Sequence, residues 1–287
     1  MEKIAVIAVS TGCLDYLELN HTNLFMIRCK MIMGENTYDD FIDITAEQFY
    51  RALEEDKSLI PRSSMPSIGS IDATLKTIED SGYTDVIMIS ISSALSGTYQ
   101  TCLMAKNAYQ GQLKIHVLDS KNAAISEGFI SLEALRLIQE RKTVNDVLSY
   151  LNRLILSRKQ YFMVDSLRLL VKNGRLSNAA GFLGSMLKIK PILQVNDEGK
   201  IVPFEKVRTQ RKALEKMVEL VIEDLKKLDN FVVTYNTSNN TEGFDYVKSR
   251  LDEVFPNHRF YAAPITPVIG AHTGLGTVGI AYFNLAC

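Results

Sequence analysis

The chain has 287 residues, of which 32 are basic and 33 acidic, so its formal net charge is −1. A general nucleic-acid or membrane-surface partner is not expected, because both require an excess of basic side chains. Hydrophobic residues make up 46% of the chain, enough for one large domain or two modest ones, and no apolar run reaches the roughly 18 residues of a membrane span.

Strand and helix signals alternate through the first half of the chain. Short β-rich runs at Ile4–Val9, 86–91 and 113–118 are each followed by turn residues and a helical pattern. This alternation predicts βαβ units and a parallel sheet. The predicted helices have a capping box at residues 45–48 or apolar side chains at helical spacing. The apolar stripes are Ile68, Ile71, Leu75 and Ile78; Phe129, Leu132 and Leu135; and Val144, Val147, Leu151 and Leu154.

The second half is richer in strands. Six strand-like runs at 161–164, 191–195, 201–207, 231–235, 259–264 and 278–285 are separated by few helices, with a hairpin turn at 196–199. The predicted fold class is therefore α/β with two domains. Residues 1–160 form an α/β Rossmann-like domain, and residues 161–287 form an α+β domain with a mostly antiparallel sheet. No linker separates them, so we expect them to pack around a cleft.

The segment 89–100, ISISSALSGTYQ, has four hydroxyl residues and a glycine between a buried strand and a helix. Ligands of open α/β sheets lie at this position, where free backbone amides favour an anion. The residues that could donate to such an anion are Ser93, Ser96 and the amides around Ala94. Helix capping and a serine nucleophile are the alternative interpretations.

Two further segments carry polar groups suited to a site. Residues 63–67, SSMPS, place Ser63 and Ser64 before a predicted helix start. In the glycine-rich loop at 269–279, His272 could donate to a carboxylate or act as a base, and Thr273 follows it. Ser93 or Ser96 with His272 and Asp119 would make a nominal hydrolase triad. However, the G-x-S-x-G elbow of serine hydrolases is absent from the sequence.

The remaining charged and sulfur-containing residues give weaker signals. Arg175 and Arg208 belong to two basic clusters whose simplest interpretation is a solvated surface. Cys13, Cys29, Cys102 and Cys287 have no C-x-x-C spacing, so neither a metal site nor a disulfide is predicted. A reduced, cytoplasmic protein is the expectation.

Taken in chain order, these segments resemble the DegV family of bacterial fatty-acid-binding proteins, which includes the lipid-carrying subunit of fatty-acid kinase. The resemblance runs nearly end to end. Its matching segments are 38–45 (YDDFIDIT), 63–67 (SSMPS), 91–100 (ISSALSGTYQ), 117–121 (VLDSK), 174–177 (GRLS), 190–193 (KPIL) and 270–274 (GAHTG).

The resemblance implies a non-catalytic carrier that buries one long-chain fatty acid, similar to palmitate or oleate, in a tunnel between the domains. It assigns the carboxylate to Ser63, Ser93 and His272, with the amides around Ala94 and the neighbouring Ser64, Ser96 and Thr273 completing the site. It also implies that Arg175, and less directly Arg208, dock a fatty-acid kinase that forms the acyl phosphate. No cofactor is implied, and membrane contact would be transient, during lipid exchange.

Overall fold

The computed structural model describes residues 2–177 and 190–287, and its N-terminal half is built on a parallel sheet. The strand order β2-β1-β6-β7 places the first predicted strand next to the second, and all three pairings are parallel. The strands are β1 (Ile4–Val9), β2 (Leu24–Ile27), β6 (Asp85–Ser90) and β7 (Lys114–Asp119). The prediction of a parallel sheet from the first half of the sequence is confirmed.

A small antiparallel sheet, which no sequence pattern indicated, is formed by three segments that follow β2 in the chain. Its order is β4-β3-β5, and its strands are β3 (Lys30–Met33), β4 (Asn36–Asp39) and β5 (Arg62–Ser64). These strands have three or four residues each, and β4 and β5 are largely polar, so neither length nor alternation distinguishes them from loops. The consequence is that Ser63 and Ser64 lie on a strand, paired with Met31 and Lys30.

The C-terminal half contains a six-stranded sheet of order β10-β9-β8-β13-β11-β12. Every pairing is antiparallel except that of β11 with β12, so the predicted mostly antiparallel sheet is confirmed. The strands are β8 (Lys159–Met163), β9 (Ile192–Val195), β10 (Ile201–Glu205), β11 (Phe231–Thr237), β12 (Phe260–Pro264) and β13 (Val278–Asn284). The predicted turn at 196–199 joins β9 to β10, with Gly199 at a φ of 78° that favours glycine.

Several helices begin at a hydroxyl cap that the sequence offers. Thr45 and Gln48 form the predicted capping box of α1, and Ser67 caps α2. Ile71, Leu75 and Ile78 of α2 are fully buried, whereas Ile68 in its first turn is exposed. The helices are α1 (Ala46–Glu55), α2 (Ile68–Asp80), α3 (Thr98–Ala108), α4 (Ile125–Gln139), α5 (Val144–Ser157), α6 (Arg168–Lys172), α7 (Gln210–Leu225), α8 (Thr241–Val254) and α9 (Pro267–Thr273).

Helix α4 connects the two large sheets through a common core. It is buried over almost its whole length and packs against both β1 and β11. The Phe129 ring of α4 lies 4.9 Å from that of Phe283 on β13. The change from one sheet to the other falls between α5 and β8, while the domain limits at 160 and 161 stay a prediction. Within residues 2–177 and 190–287, no helix has the length and apolar character that crossing a bilayer requires.

Candidate functional site

A cavity of about 380 Å³ opens at the carboxyl ends of β1 and β6, where an open α/β sheet holds its ligands. Its volume lies within the range of about 300–1,000 Å³ found for small-molecule sites. Both halves of the chain contribute to its wall. The polar side of the wall consists of Thr11, Ser63, Ser64, Ser96, Arg175, His272 and Thr273, and the apolar side includes Ile91, Leu95, Ile201, Val268 and Ile269.

The shortest polar contact in this wall joins Ser63 and His272, which are 209 residues apart in sequence. Ser63 lies in the middle of β5, and His272 lies in the last turn of α9, which packs against β5. The Ser63 Oγ and His272 Nε2 atoms are 2.7 Å apart. The structure therefore unites two of the predicted carboxylate-binding residues, each from a segment that the sequence could only treat separately.

His272 is neutral at physiological pH. Burial, reinforced by the positive charge of Arg175, lowers the pKa of His272 to about 4. Its Nδ1 atom is buried and has no hydrogen-bond partner among residues 2–177 and 190–287. A bare nitrogen is less costly to bury unpaired than an N–H, so the proton belongs on Nε2, which then donates to Ser63. In that arrangement the Ser63 hydroxyl is free to donate into the cavity.

Ser96 lies beside the N-terminus of α3 at the edge of the cavity. Its hydroxyl accepts a hydrogen bond from the Thr98 amide (3.2 Å) and pairs with the Thr98 hydroxyl (2.9 Å). The N-cap residue is Gly97, which has no side chain to cap the helix, and Met65 lies directly over it. A helix N-terminus carries a partial positive charge and free amides, so this edge favours an anion.

Arg175 brings a positive charge to the cavity, whereas Arg208 does not line it. The Arg175 side chain is partly buried and donates to the carbonyl oxygens of Leu95 (3.2 Å) and Asn173. Asn173 in turn donates to the carbonyl of Ala271, next to His272 (2.9 Å). Arg208 is exposed, in the connection between β10 and α7.

Ser93 and Ala94 are also absent from the cavity wall. Both are exposed, and the Ser93 hydroxyl donates to Asp119 Oδ2 at 2.6 Å. The carboxylate-binding roles predicted for these two residues stay predictions, and their positions give them no support. The predicted triad is not assembled either, because Asp119 accepts from Ser93 while His272 pairs with Ser63.

Two buried residues that the sequence did not single out join the loops around the site. Ser92 is fully buried, and its hydroxyl donates to the carbonyl of Gly199 in the β9–β10 turn (2.8 Å). Arg158 is 4% exposed and donates to the carbonyls of Lys121 and Asn196, both at 2.9 Å. The serine run gave a signal for Ser92 without distinguishing it from Ser93. No motif surrounds Arg158.

The apolar side of the cavity continues into a second space of about 50 Å³ between the two large sheets. The two spaces share the side chains of Leu95, Ala123, Ile201, Ile269 and Thr273. The wall of the second space also includes Phe162, Val195 and Ile265. The site therefore has a polar end near Ser63 and His272 and an apolar extension toward the interior, a combination that suits an amphiphile with an acidic head group.

Comparison with known proteins identifies relatives over the full length of the chain. A family model described as uncharacterised proteins of the DegV family matches residues 3–285. The crystal structure of DegV from Bacillus subtilis, a fatty acid binding protein, is 31% identical, with a TM-score of 0.88 over 99% of this chain and 100% of that one. A fatty acid binding DegV family protein from Streptococcus agalactiae is 28% identical, with a TM-score of 0.89 over 99% of both chains.

The fold similarity extends to a more distant structure. The Streptococcus pneumoniae Fatty Acid Kinase (Fak) B3 protein loaded with linoleic acid is 20% identical, with a TM-score of 0.85 over 99% of this chain and 100% of that one. At that identity the comparison concerns the fold alone.

Proposed function

Because the chain belongs to the DegV family, we propose that it binds one long-chain fatty acid. The carboxylate occupies the polar end of the large cavity, and the acyl chain follows the apolar extension between the sheets. The single observation that carries this proposal is the cavity itself, which has hydroxyl, imidazole and guanidinium groups at one end and aliphatic side chains beyond them. Relatives of 31% and 28% identity are described as fatty acid binding proteins.

The carboxylate is held mainly by neutral donors. Ser63 donates to it while accepting from His272, and Ser96 and Gly97 line the same cavity beside the N-terminus of α3. Arg175 adds a positive charge at the same end. Hydrogen bonds to a charged group are worth about 1.5–3 kcal/mol each, so two or three of them offset the cost of removing the carboxylate from water.

The acyl chain provides most of the binding free energy. Burying about 14 methylenes at about 0.8 kcal/mol each gives an upper limit of about 11 kcal/mol. Ordering the chain and the protein reduces this figure. Even so, spontaneous release into water is slow, so the protein acts as a carrier that presents its lipid to a partner.

The partner proposed is a fatty-acid kinase, with the phosphoryl chemistry supplied by that partner and none by this chain. Arg175 is the residue proposed to face it, because it lies at the polar end of the cavity and is partly exposed. This proposal rests on the motif resemblance, which includes the segment GRLS at 174–177.

A serine esterase remains the alternative to test. The Ser63–His272 pair resembles a nucleophile and base, but His272 Nδ1 contacts no carboxylate within the described parts of the chain. With a pKa of about 4, His272 is also a weak base. These observations favour binding over hydrolysis.

Mass spectrometry of the ligand released from the purified, denatured protein tests the proposal. We expect one fatty acid per chain, or stoichiometric uptake of added palmitate or oleate by delipidated protein. Absence of both would refute fatty-acid binding. Covalent labelling of Ser63 or Ser96 by a fluorophosphonate would instead favour the esterase.

A further inference from the structure

The second cavity is bounded by one face of the six-stranded sheet. Phe162 on β8, Gly279 on β13 and Asn236 on β11 lie in register across this face. Gln160, two residues before Phe162, points to the same side, and all four residues line the cavity. Gly279 opens the space between its neighbours, since a Cβ there would lie 3.4 Å from Phe162 and 3.5 Å from Asn236.

Two polar side chains in this wall have an atom without a partner. Gln160 is 5% exposed and Asn236 is 3% exposed. The Gln160 Nε2 atom donates to the carbonyl of Ala123 at 3.4 Å. The Gln160 Oε1 atom and the Asn236 Nδ2 atom have no hydrogen-bond partner among residues 2–177 and 190–287. Buried polar atoms in native proteins are nearly always paired, so these two require an explanation.

A polar neighbour on the same sheet face, outside the cavity wall, has its partner. Thr234 lies on the same strand and the same face as Asn236, but outside the cavity wall, and its hydroxyl pairs with that of Ser126 on α4 at 2.8 Å. The sheet face is therefore not generally short of partners. The unpaired acceptor of Gln160 and the unpaired donor of Asn236 both belong to the wall of the space into which a ligand chain would extend. A plain hydrocarbon chain can pair with neither.

We infer that Gln160 and Asn236 form a subsite for a hydroxyl group carried by the acyl chain, so that the ligand class includes hydroxylated long-chain fatty acids. A hydroxyl has one donor and two acceptor positions. It can donate to Gln160 Oε1 or accept from Asn236 Nδ2, whichever the position of the hydroxyl along the chain brings within reach. The space of about 50 Å³ admits a hydroxyl-bearing carbon and its neighbours. This inference rests on the proposed function and names the substrate class of the same site.

Competition binding on the delipidated protein tests the inference. Stearate and a series of hydroxystearates, with the hydroxyl near the middle or near the methyl end, displace a fluorescent fatty acid. In a purely apolar tunnel an added hydroxyl weakens binding by about tenfold or more. We expect at least one hydroxystearate to bind as tightly as stearate or more tightly.

Two apolar variants and a control assign the effect to the subsite. Gln160→Leu and Asn236→Leu each remove the amide donors and acceptors, so the readout for each variant is the ratio of its hydroxystearate affinity to its stearate affinity. Replacing the residue that contacts the hydroxyl should weaken the binding of the favoured hydroxystearate about tenfold. Thr234→Val, on the same face but outside the cavity wall, should leave the ratio of the two affinities unchanged.

The outcomes separate this inference from the proposed function. If stearate binds but every hydroxystearate binds about tenfold more weakly in the parent protein, ordered water alone pairs with Gln160 and Asn236, and the subsite is refuted. If no acid binds at all, the proposed function fails and the inference fails with it.

Discussion

Replacing Ser63 by alanine tests the polar end of the site directly. The Ser63 hydroxyl lies 2.7 Å from His272 Nε2 and, in the proposed complex, donates to the carboxylate. The substitution removes that hydroxyl and leaves the backbone pairing of β5 with Met31 in place. The binding defect of S63A should therefore arise from the lost hydrogen bond and not from a disrupted strand.

The expected magnitude follows from the charge of the ligand. A hydrogen bond to an ionised group contributes about 1.5–3 kcal/mol, so the Kd for palmitate should rise about 10- to 150-fold. His272 loses its Nε2 partner as well, so the free energy of unfolding without ligand should fall by about 1 kcal/mol. Isothermal titration calorimetry on delipidated protein measures the first quantity, and urea unfolding measures the second.

Ser93→Ala is the matched control, because the serine it replaces lies in another hydroxyl-rich loop. Ser93 is exposed and donates to Asp119, away from the cavity wall, so the Kd of S93A should change by less than about threefold. An unchanged Kd in S63A would refute the carboxylate site proposed here. A tenfold weakening in S93A would restore the assignment of the carboxylate to Ser93 that the sequence motif suggests.

Three further predictions concern stability, each measured by urea unfolding. Burial raises the pKa of the Asp40 carboxyl from 3.8 to about 6. Ionisation of Asp40 at pH 7 therefore lowers the free energy of unfolding by about 3 kcal/mol. Asp40→Asn should raise the free energy of unfolding by up to about 3 kcal/mol at pH 7 and by little at pH 4. An equal increase at the two pH values would contradict the assignment to Asp40 ionisation. Gly199→Ala should lower the free energy of unfolding by at least about 1 kcal/mol, because φ at Gly199 is 78° and a Cβ would overlap the Ser92 hydroxyl. An unchanged free energy of unfolding would refute this expectation. Arg158→Leu should lower the free energy of unfolding by about 3 kcal/mol or more, because it leaves buried carbonyl groups unpaired. The control Arg153→Leu, on the exposed side of α5, should lower it by under about 1 kcal/mol.

The fold could be predicted from the sequence where long apolar patterns repeat. Examples are the apolar runs at Ile4–Val9 and 278–285 and the apolar stripe of α2. Such patterns are local in the sequence, and they indicate elements that bury one or both faces in a compact fold. The small antiparallel sheet escaped prediction because its strands are short and two of the three are polar. The pairing of β3 with β5 joins segments about thirty residues apart, which no local pattern encodes.

Local patterns in the sequence are enough to predict the two sheet types, several helix caps and the hydroxyl-rich segments. Which of those hydroxyls face the cavity depends on the packing of the folded chain. Ser92 and Ser93 are identical neighbours, yet one is buried against the Gly199 carbonyl and the other is exposed beside Asp119. The chain turns directly after Ser92, where its carbonyl accepts from the amides of Leu95 and Ser96, so the two serine side chains do not share one environment. Which of the two is buried depends on the β9–β10 turn that packs there, more than 100 residues away in sequence.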